Sequence, residues 1–332
     1  MDANPTYSVR RYREEDGPRL LALLESAYGS WPATGVAACE RPLDFLHWKH
    51  LANPAGASML TLAESGGELI AARAYMEWPL ECAGRTVPGR QAVDLATDPA
   101  FRRQGINSGL IKRGMDSYGG APPLTLGSPN GMSRPQSTRQ GWRVVGRTPL
   151  WVHPLRRGRG HAEPDAPPAS EVLAADEPLR DLLGDRASPG ERLATPTDAD
   201  HLRWRHQPLI ADYRAVTDHD GDRLLGLAIF RMRRRRELWE AAICELLVRP
   251  GDDRVARRLL RRVAEAAPAD YLAALPGPRS VASRVLARAG FAPSPAARLP
   301  LGVVAYAPLE PDPYRQRSWA LSLGDFERLQ NC

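Results

Sequence analysis

One succession of elements can be read twice along this chain of 332 residues, and that repetition limits the available folds more than any other feature. In the first half, "PLDFLHWKHLANPAGASMLTLAESGGELIAARAYME" can be laid against "DADHLRWRHQPLIADYRAVTDHDGDRLLGLAIFRMR" in the second. Trp48-Lys49-His50 falls opposite Trp204-Arg205-His206, and the turn at Gly66-Gly67 opposite Asp220-Gly221-Asp222. "AVDLATDPAFRRQGINSGLIKRG" then parallels "ICELLVRPGDDRVARRLLRRV", with Pro99 opposite Pro250. Finally Gly141-Trp142 stands opposite Gly290-Phe291. Four matches in one order imply a duplicated α/β unit.

Within the first unit, Leu20, Leu21, Leu24 and Tyr28 form one helical stripe, and "PLDFLHWKH" gives a short helix stopped at Asn53-Pro54. "ASMLTLAE" and "ELIAARAYMEW" predict strands joined by a hairpin turn. "QAVDLAT" predicts a further strand, followed by a helix from Gly105 to Tyr118, the strand "PLTLGSPN", a broken helix and a last strand. Residues 156–191 are rich in Pro, Gly, Ala and charge, which reads as a linker carrying only the short helix "VLAADEPLRDLL". The expected division is a first domain over 1–155, this linker, and a second domain over 192–332. At the C-terminus, "WALSLGDFERLQ" predicts a closing strand and a Gly-Asp turn.

Composition narrows the chemistry. The start has no apolar signal-like region, and no segment approaches the roughly 20 apolar residues that span a bilayer, so the expected location is the cytoplasm. Cys39, Cys82, Cys244 and Cys332 lack metal-site spacing, and no metal centre is expected. The net charge of +6 is carried almost wholly by arginine, since Lys49 and Lys112 are the only lysines. Such a balance is compatible with phosphate-bearing ligands. The run Arg231, Arg233, Arg234, Arg235 and Arg236 reads as a solvated hairpin connection, with contact to tRNA as the sharper alternative.

The segment "VDLATDPAFRRQGINSGLI" holds the most specific chemistry. A strand that runs through a glycine turn into a helix brings unpartnered N–H groups and the positive end of the helix dipole together. A pyrophosphate is bound well by that arrangement. Gly105 lets it approach the backbone, and Arg102 and Arg103 add charge-assisted hydrogen bonds. Neither a Walker loop nor G-x-G-x-x-G is present, which disfavours a nucleoside triphosphate loop and a Rossmann site.

These residues resemble the acyl-CoA-binding motif R/Q-x-x-G-x-G/A of the GCN5-related N-acetyltransferase (GNAT) superfamily, with Arg102, Gly105 and Asn107 at its defined positions. "SPN" followed by "QGWRVVG" is similar to the fifth strand and next helix of that fold, and the likeness covers about Tyr7 to Leu155. The second half resembles a degenerate copy, because "RPGDDRVARR" lacks the glycine and carries Asp252-Asp253. The fold implied is α/β: two GNAT-like domains in tandem, each a mixed, mostly antiparallel twisted sheet flanked by helices.

The resemblance also implies roles. Acetyl-CoA or another acyl-CoA would be the donor, and the acceptor an amine on a small molecule. Arg102, Arg103, Gln104, Gly105, Ile106, Asn107 and Ser108 would hold the pyrophosphate, Leu95, Ala96 and Thr97 the pantetheine arm, and Asn130 a pantetheine amide. Asp94 would be the general base, acting through water. Ser137 stands where the family commonly has a tyrosine acid, so water or another donor would deliver the proton. Asn107 replaces the usual small residue. Two alternatives keep the fold: an aminoacyl-tRNA-dependent transferase, and a CoA-binding protein without catalysis.

Overall fold

A computed structural model describes residues 7–29, 31–32, 41–128, 134–155, 162–185, 190–275 and 281–325. The chain starts with β1 (Ser8–Arg11), α1 (Gly17–Tyr28) and α2 (Pro42–His50). Both helices carry a proline in their first turn, where the missing N–H leaves no bond unmade, and left-handed Gly29 ends α1. The alternating apolar runs form the hairpin of β2 (Met59–Ser65) and β3 (Glu68–Glu77). A small hairpin of β4 (Leu80–Cys82) and β5 (Arg85–Val87) follows. Then come β6 (Gly89–Thr97), α3 (Ile106–Ser117), β7 (Leu124–Gly127), α4 (Arg134–Arg139) and β8 (Arg143–Pro154).

The segment expected to be a linker contains α5 (Ala169–Leu173) and α6 (Asp176–Gly184). Leu173, Leu179 and Leu182 of these helices are buried in the main core, so residues 169–184 are folded onto the second half. After them run α7 (Ala199–Arg205), β9 (Tyr213–Asp220), β10 (Arg223–Arg235), β11 (Leu238–Val248), α8 (Asp253–Ala266), β12 (Tyr271–Ala274), α9 (Val281–Arg288) and β13 (Ala292–Ala305). Trp319, Leu321 and Leu323 are buried, but the segment meets its neighbour only at a single bridge to Leu193 and is not the expected strand.

The two expected sheets are one. Eleven strands run in the order β1-β2-β3-β6-β7-β13-β8-β12-β11-β10-β9. All neighbours are antiparallel except β6 with β7 and β11 with β12, so the sheet is mixed and mostly antiparallel. Its centre is an exchange. β13 comes from the second half yet lies between β7 and β8, with Val303 opposite Leu126. β8 comes from the first half and pairs with β12, Val152 opposite Ala273.

On one face, a single apolar core runs beneath α1, α2, α5, α6 and α7 and joins both halves. Trp48 and Trp204 meet in it, rings stacked with centroids 5.2 Å apart. Trp48 Nε1 donates to the Trp204 carbonyl at 2.8 Å, and Trp204 Nε1 donates to the Trp48 carbonyl at 3.0 Å. The two residues that align in sequence thus make the same contact to each other. On the opposite face α3 covers the first half and α8 the second. Gly114 lets α3 lie close, since a Cβ there would stand 2.9 Å from Thr61 Cγ2.

Candidate active site

β6 and β7 pair only from Gly89–Gln91 to Leu124–Leu126, although β6 continues to Thr97. Beyond Gln91 the two strands part and leave a slot with one free edge of β6 along it. Leu95 and Thr97 face this edge: the Leu95 carbonyl accepts from the Tyr28 hydroxyl at 2.8 Å, and the Thr97 carbonyl from Arg102 Nε at 3.2 Å. Each carbonyl has a second lone pair, and each N–H on that edge can donate to an extended ligand. Ala96 lies between them, buried in the core.

The slot ends at the loop before α3. Asp98 Oδ1 accepts from the Ala100 N–H and starts a tight turn. Arg103 and Gly105 then take φ of 66° and 75°, and Gly105 caps the helix. Left-handed backbone aims successive N–H groups into a concavity suited to an anion. A Cβ at Gly105 would meet nothing within 4 Å, so the space over it is open. Arg103, Gln104 and Ser108 are exposed around that space, whereas Ile106 and Asn107 are turned inward. Arg102 is exposed but also ties the loop to the Ala27 carbonyl at 3.4 Å. Asn107, expected among the residues that hold the pyrophosphate, has its side chain beneath α3, 8% exposed, with Oδ1 lacking a partner.

Asp94 is set at a bulge. Arg73 pairs with Leu95 and Ala74 with Val93, so Asp94 is the extra residue and takes φ of 29°. Its Oδ2 accepts from Lys49 Nζ at 2.9 Å and lies 3.0 Å from His50 Nε2, while Oδ1 accepts from Trp31 Nε1 at 3.2 Å. His50 Nδ1 is in turn 3.1 Å from Ser58 Oγ. Burial alone would push this carboxyl up, but the Lys49 charge and the His50 hydrogen bond outweigh it and hold the group well below the usual carboxylate range. A carboxylate bound by three donors and held so low is a poor proton acceptor, which argues against the general-base role expected for Asp94. Trp31, Lys49 and His50 were not expected at the site. The signals were present in the repeated Trp-Lys-His and in the scarcity of lysine.

Other expected residues are dispersed. Asn130 lies outside the described residues. Ser137 is half-buried in α4, and its carbonyl accepts from the Trp142 N–H at 3.1 Å. Ser128 Oγ, at the open end of β7, and Gln140 Nε2, just after α4, are buried without partners. The arginine run divides. Arg231 and Arg233 are 2% and 6% exposed inside β10, so they are neither a solvated turn nor a nucleic-acid surface. Arg234 and Arg235 are exposed, and Arg236 makes the turn at φ 56°.

The second half keeps the framework and changes its contents. Its bulge falls at Cys244, and Arg205, opposite Lys49, donates to the Gly324 carbonyl at 2.7 Å. His206, opposite His50, lies with Nδ1 3.1 Å from the Leu202 carbonyl and is pushed well down by burial and then by Arg205. α8 starts three residues after Pro250, whereas α3 starts seven after Pro99. Arg249 turns inward onto Asp181, Asp185 and the Leu224 carbonyl, and Asp252 stands at the N-cap position without a side-chain cap bond. Gly251 precedes α8 at φ 82° with open space over it, but Asp252 and Asp253 stand at the start of the helix, where they would repel an anion. Among the described residues, no group of three His, Cys, Asp or Glu could hold a metal, and no helix is long and apolar enough to cross a membrane.

Residues 8–145 match the family model described as an acetyltransferase (GNAT) domain. A GCN5-related N-acetyltransferase from Anabaena variabilis is similar in structure, with a TM-score of 0.64 and 13% identity over 90% of this chain and 72% of that one. Another from Kribbella flavida gives 0.60 and 16% over 92% and 72%. Eis1 from Mycobacterium abscessus gives 0.55 and 16% over 90% and 73%. No curated protein matches the chain in sequence. Residues 8–145 thus match an acetyltransferase (GNAT) domain, and the chain as a whole shares its fold with GNAT proteins.

Proposed function

We propose that the chain is a cytoplasmic acyltransferase that binds an acyl-CoA in its first half and transfers the acyl group to an amine of a small molecule. The observation that carries this reading is the slot between β6 and β7, which leads to the Gly105-capped end of α3. The open space over Gly105, together with the partnerless Ser128 Oγ at the open end of β7, fits a ligand with a pyrophosphate at one end and amides along its arm. Acyl-CoA supplies a thioester carbonyl. The N–H groups of Leu95 and Thr97 orient the arm, and Arg103, Gln104, Gly105 and Ser108 receive the phosphates.

In this reading the amine nitrogen attacks the thioester carbon, the C–S bond breaks, and the amine proton leaves to solvent while the thiolate gains one. Asp94, anchored by Lys49, His50 and Trp31, fixes the bulge and so the spacing of the N–H groups beyond it. Water, rather than a protein side chain, supplies the proton that the thiolate gains. The second half, 192–332, serves as scaffold and acceptor wall, because Asp252 and Asp253 at the start of its own helix would repel a pyrophosphate. Isothermal titration with acetyl-CoA tests the reading. Binding by the wild-type chain and its loss in Gly105→Glu are expected; no binding by the wild type would reject it. Turnover with a mixed amine pool separates a transferase from a CoA-binding protein without catalysis.

A further inference from the structure

Arg257, Leu260, Arg261 and Ala264 follow one another along α8 at intervals of three, one and three residues, so they share one edge of the helix. That edge borders a cavity of about 230 Å³, whose other walls are Leu272 of β12, His153 of β8, and Ala289 and Phe291 just past α9. Ala264 and Ala289 each add only a methyl group to these walls, which leaves the space open. Leu260, Leu272 and Phe291 are buried at its floor. Gly290 lets one wall form. Its φ is 84°, and a Cβ there would stand 3.1 Å from His153 Nδ1. Without that Cβ, His153 Nδ1 reaches the Gly290 carbonyl at 3.2 Å. The imidazole then lies against Phe291, ring centroids 5.2 Å apart and planes at 31°.

The rim of this cavity is cationic. Arg257 and Arg261 are exposed and one helical turn apart. Arg261 meets Glu265 at 3.5 Å with both side chains largely in solvent, a pairing of little strength. Among the described residues Arg257 has no ion-pair partner, and its Nε donates to the Asp253 carbonyl at 3.3 Å. No carboxylate is among the described residues that line the cavity. An apolar hollow with a few polar groups at one side is the usual form of a small-molecule site. Its volume exceeds the about 150 Å³ that holds a benzene and falls short of the roughly 300 Å³ where drug-sized sites begin, so it suits a single ring. Phe291 and His153 favour a flat aromatic body, and the guanidinium forks favour a planar carboxylate. We propose that this pocket binds a small aromatic acid, its ring against Phe291 and its carboxylate at Arg257 and Arg261. The site shares no residue with the slot between β6 and β7 and does not depend on how the first half is used.

Saturation-transfer NMR of the full chain, titrated with sodium benzoate at constant ionic strength, tests this. Benzoate is expected to bind saturably, and benzyl alcohol, which lacks the charge, about tenfold more weakly. Ala264→Leu fills the cavity with a good helix former and is expected to abolish binding. Arg257→Gln and Arg261→Gln are surface changes, expected to weaken binding about threefold each and about tenfold together, the scale of solvated ion pairs. If circular dichroism shows Ala264→Leu unfolded, the double arginine variant decides. Gly105→Glu is expected to leave benzoate binding intact. Absence of saturable benzoate binding would overturn the proposal, as would binding that the double arginine variant leaves unchanged or that Gly105→Glu removes. Equal binding of benzyl alcohol would overturn the role of the arginines. Tighter competition by hexanoate would overturn the aromatic assignment, and tighter competition by phenyl phosphate the carboxylate.

Discussion

Lys49 and Asp94 offer a sharp test of the anchoring at the bulge. Lys49 is fully buried and the Asp94 side chain is 9% exposed, with 2.9 Å between the charges. Lys49→Met keeps the stem length and removes the charge, leaving a buried carboxylate with only His50 and Trp31. Asp94→Asn keeps the Oδ1 acceptor for Trp31 and removes the carboxylate charge that faces the buried ammonium. Each single change is expected to cost about 3–5 kcal/mol, the usual effect of breaking a buried pair from one side. The double variant removes both charges of the pair, so its cost is expected to fall below the sum of the singles by about 2 kcal/mol or more. Urea unfolding followed by circular dichroism and tryptophan fluorescence measures all four corners. Additivity within about 0.5 kcal/mol would refute the reasoning. The pair also has a pH signature. The folded carboxyl is held below its unfolded value of about 4, so the unfolded chain binds the extra proton. The advantage of wild type over Asp94→Asn is therefore complete above that value and shrinks as pH falls below it.

Gly105→Ala is expected to cost about 1–2 kcal/mol of stability, because its φ of 75° is strained for any residue with a Cβ, and urea midpoints would show it. Gly114→Ala pushes a methyl to 2.9 Å from Thr61 Cγ2 and is expected to cost about 1–3 kcal/mol by overpacking, read from the same curves. His206, lowered by burial first and by Arg205 second, takes up a proton on unfolding near pH 6.5. Its contribution is present above that pH and lost below it, so His206→Phe is expected to flatten the decline in stability between about pH 7 and 5.

The repeat was legible because it is written in local chemistry. Turns, prolines and apolar alternation mark each element, and they located the α3 loop and the hairpins closely. The matched Trp-Lys-His and Trp-Arg-His were visible too, but their use was not. Lys49 and His50 act on a bulge in a distant strand, and no spacing rule reports where a bulge will fall. The arginine run misled because a charge run suggests solvent, whereas strand alternation carried Arg231 and Arg233 inward. Residues 169–184 read as a linker because prolines and charges flank them; their few leucines find a core only after the second half is folded. The exchange of β8 and β13 was invisible for the same reason, since it depends on which strand edges remain open.

That exchange has a consequence for how the molecule is made. The chain emerges from its N-terminus, so β7 and β8 are complete long before residues 292–305 exist. Until β13 arrives, the sheet has a strand-wide gap at its centre, with an unpaired edge on either side. The central pairing is possible only once synthesis has passed residues 292–305. A ribosome-bound fragment that stops short of β13 is thus an open clasp with two sticky edges, and completing the sheet means seating β13 between them.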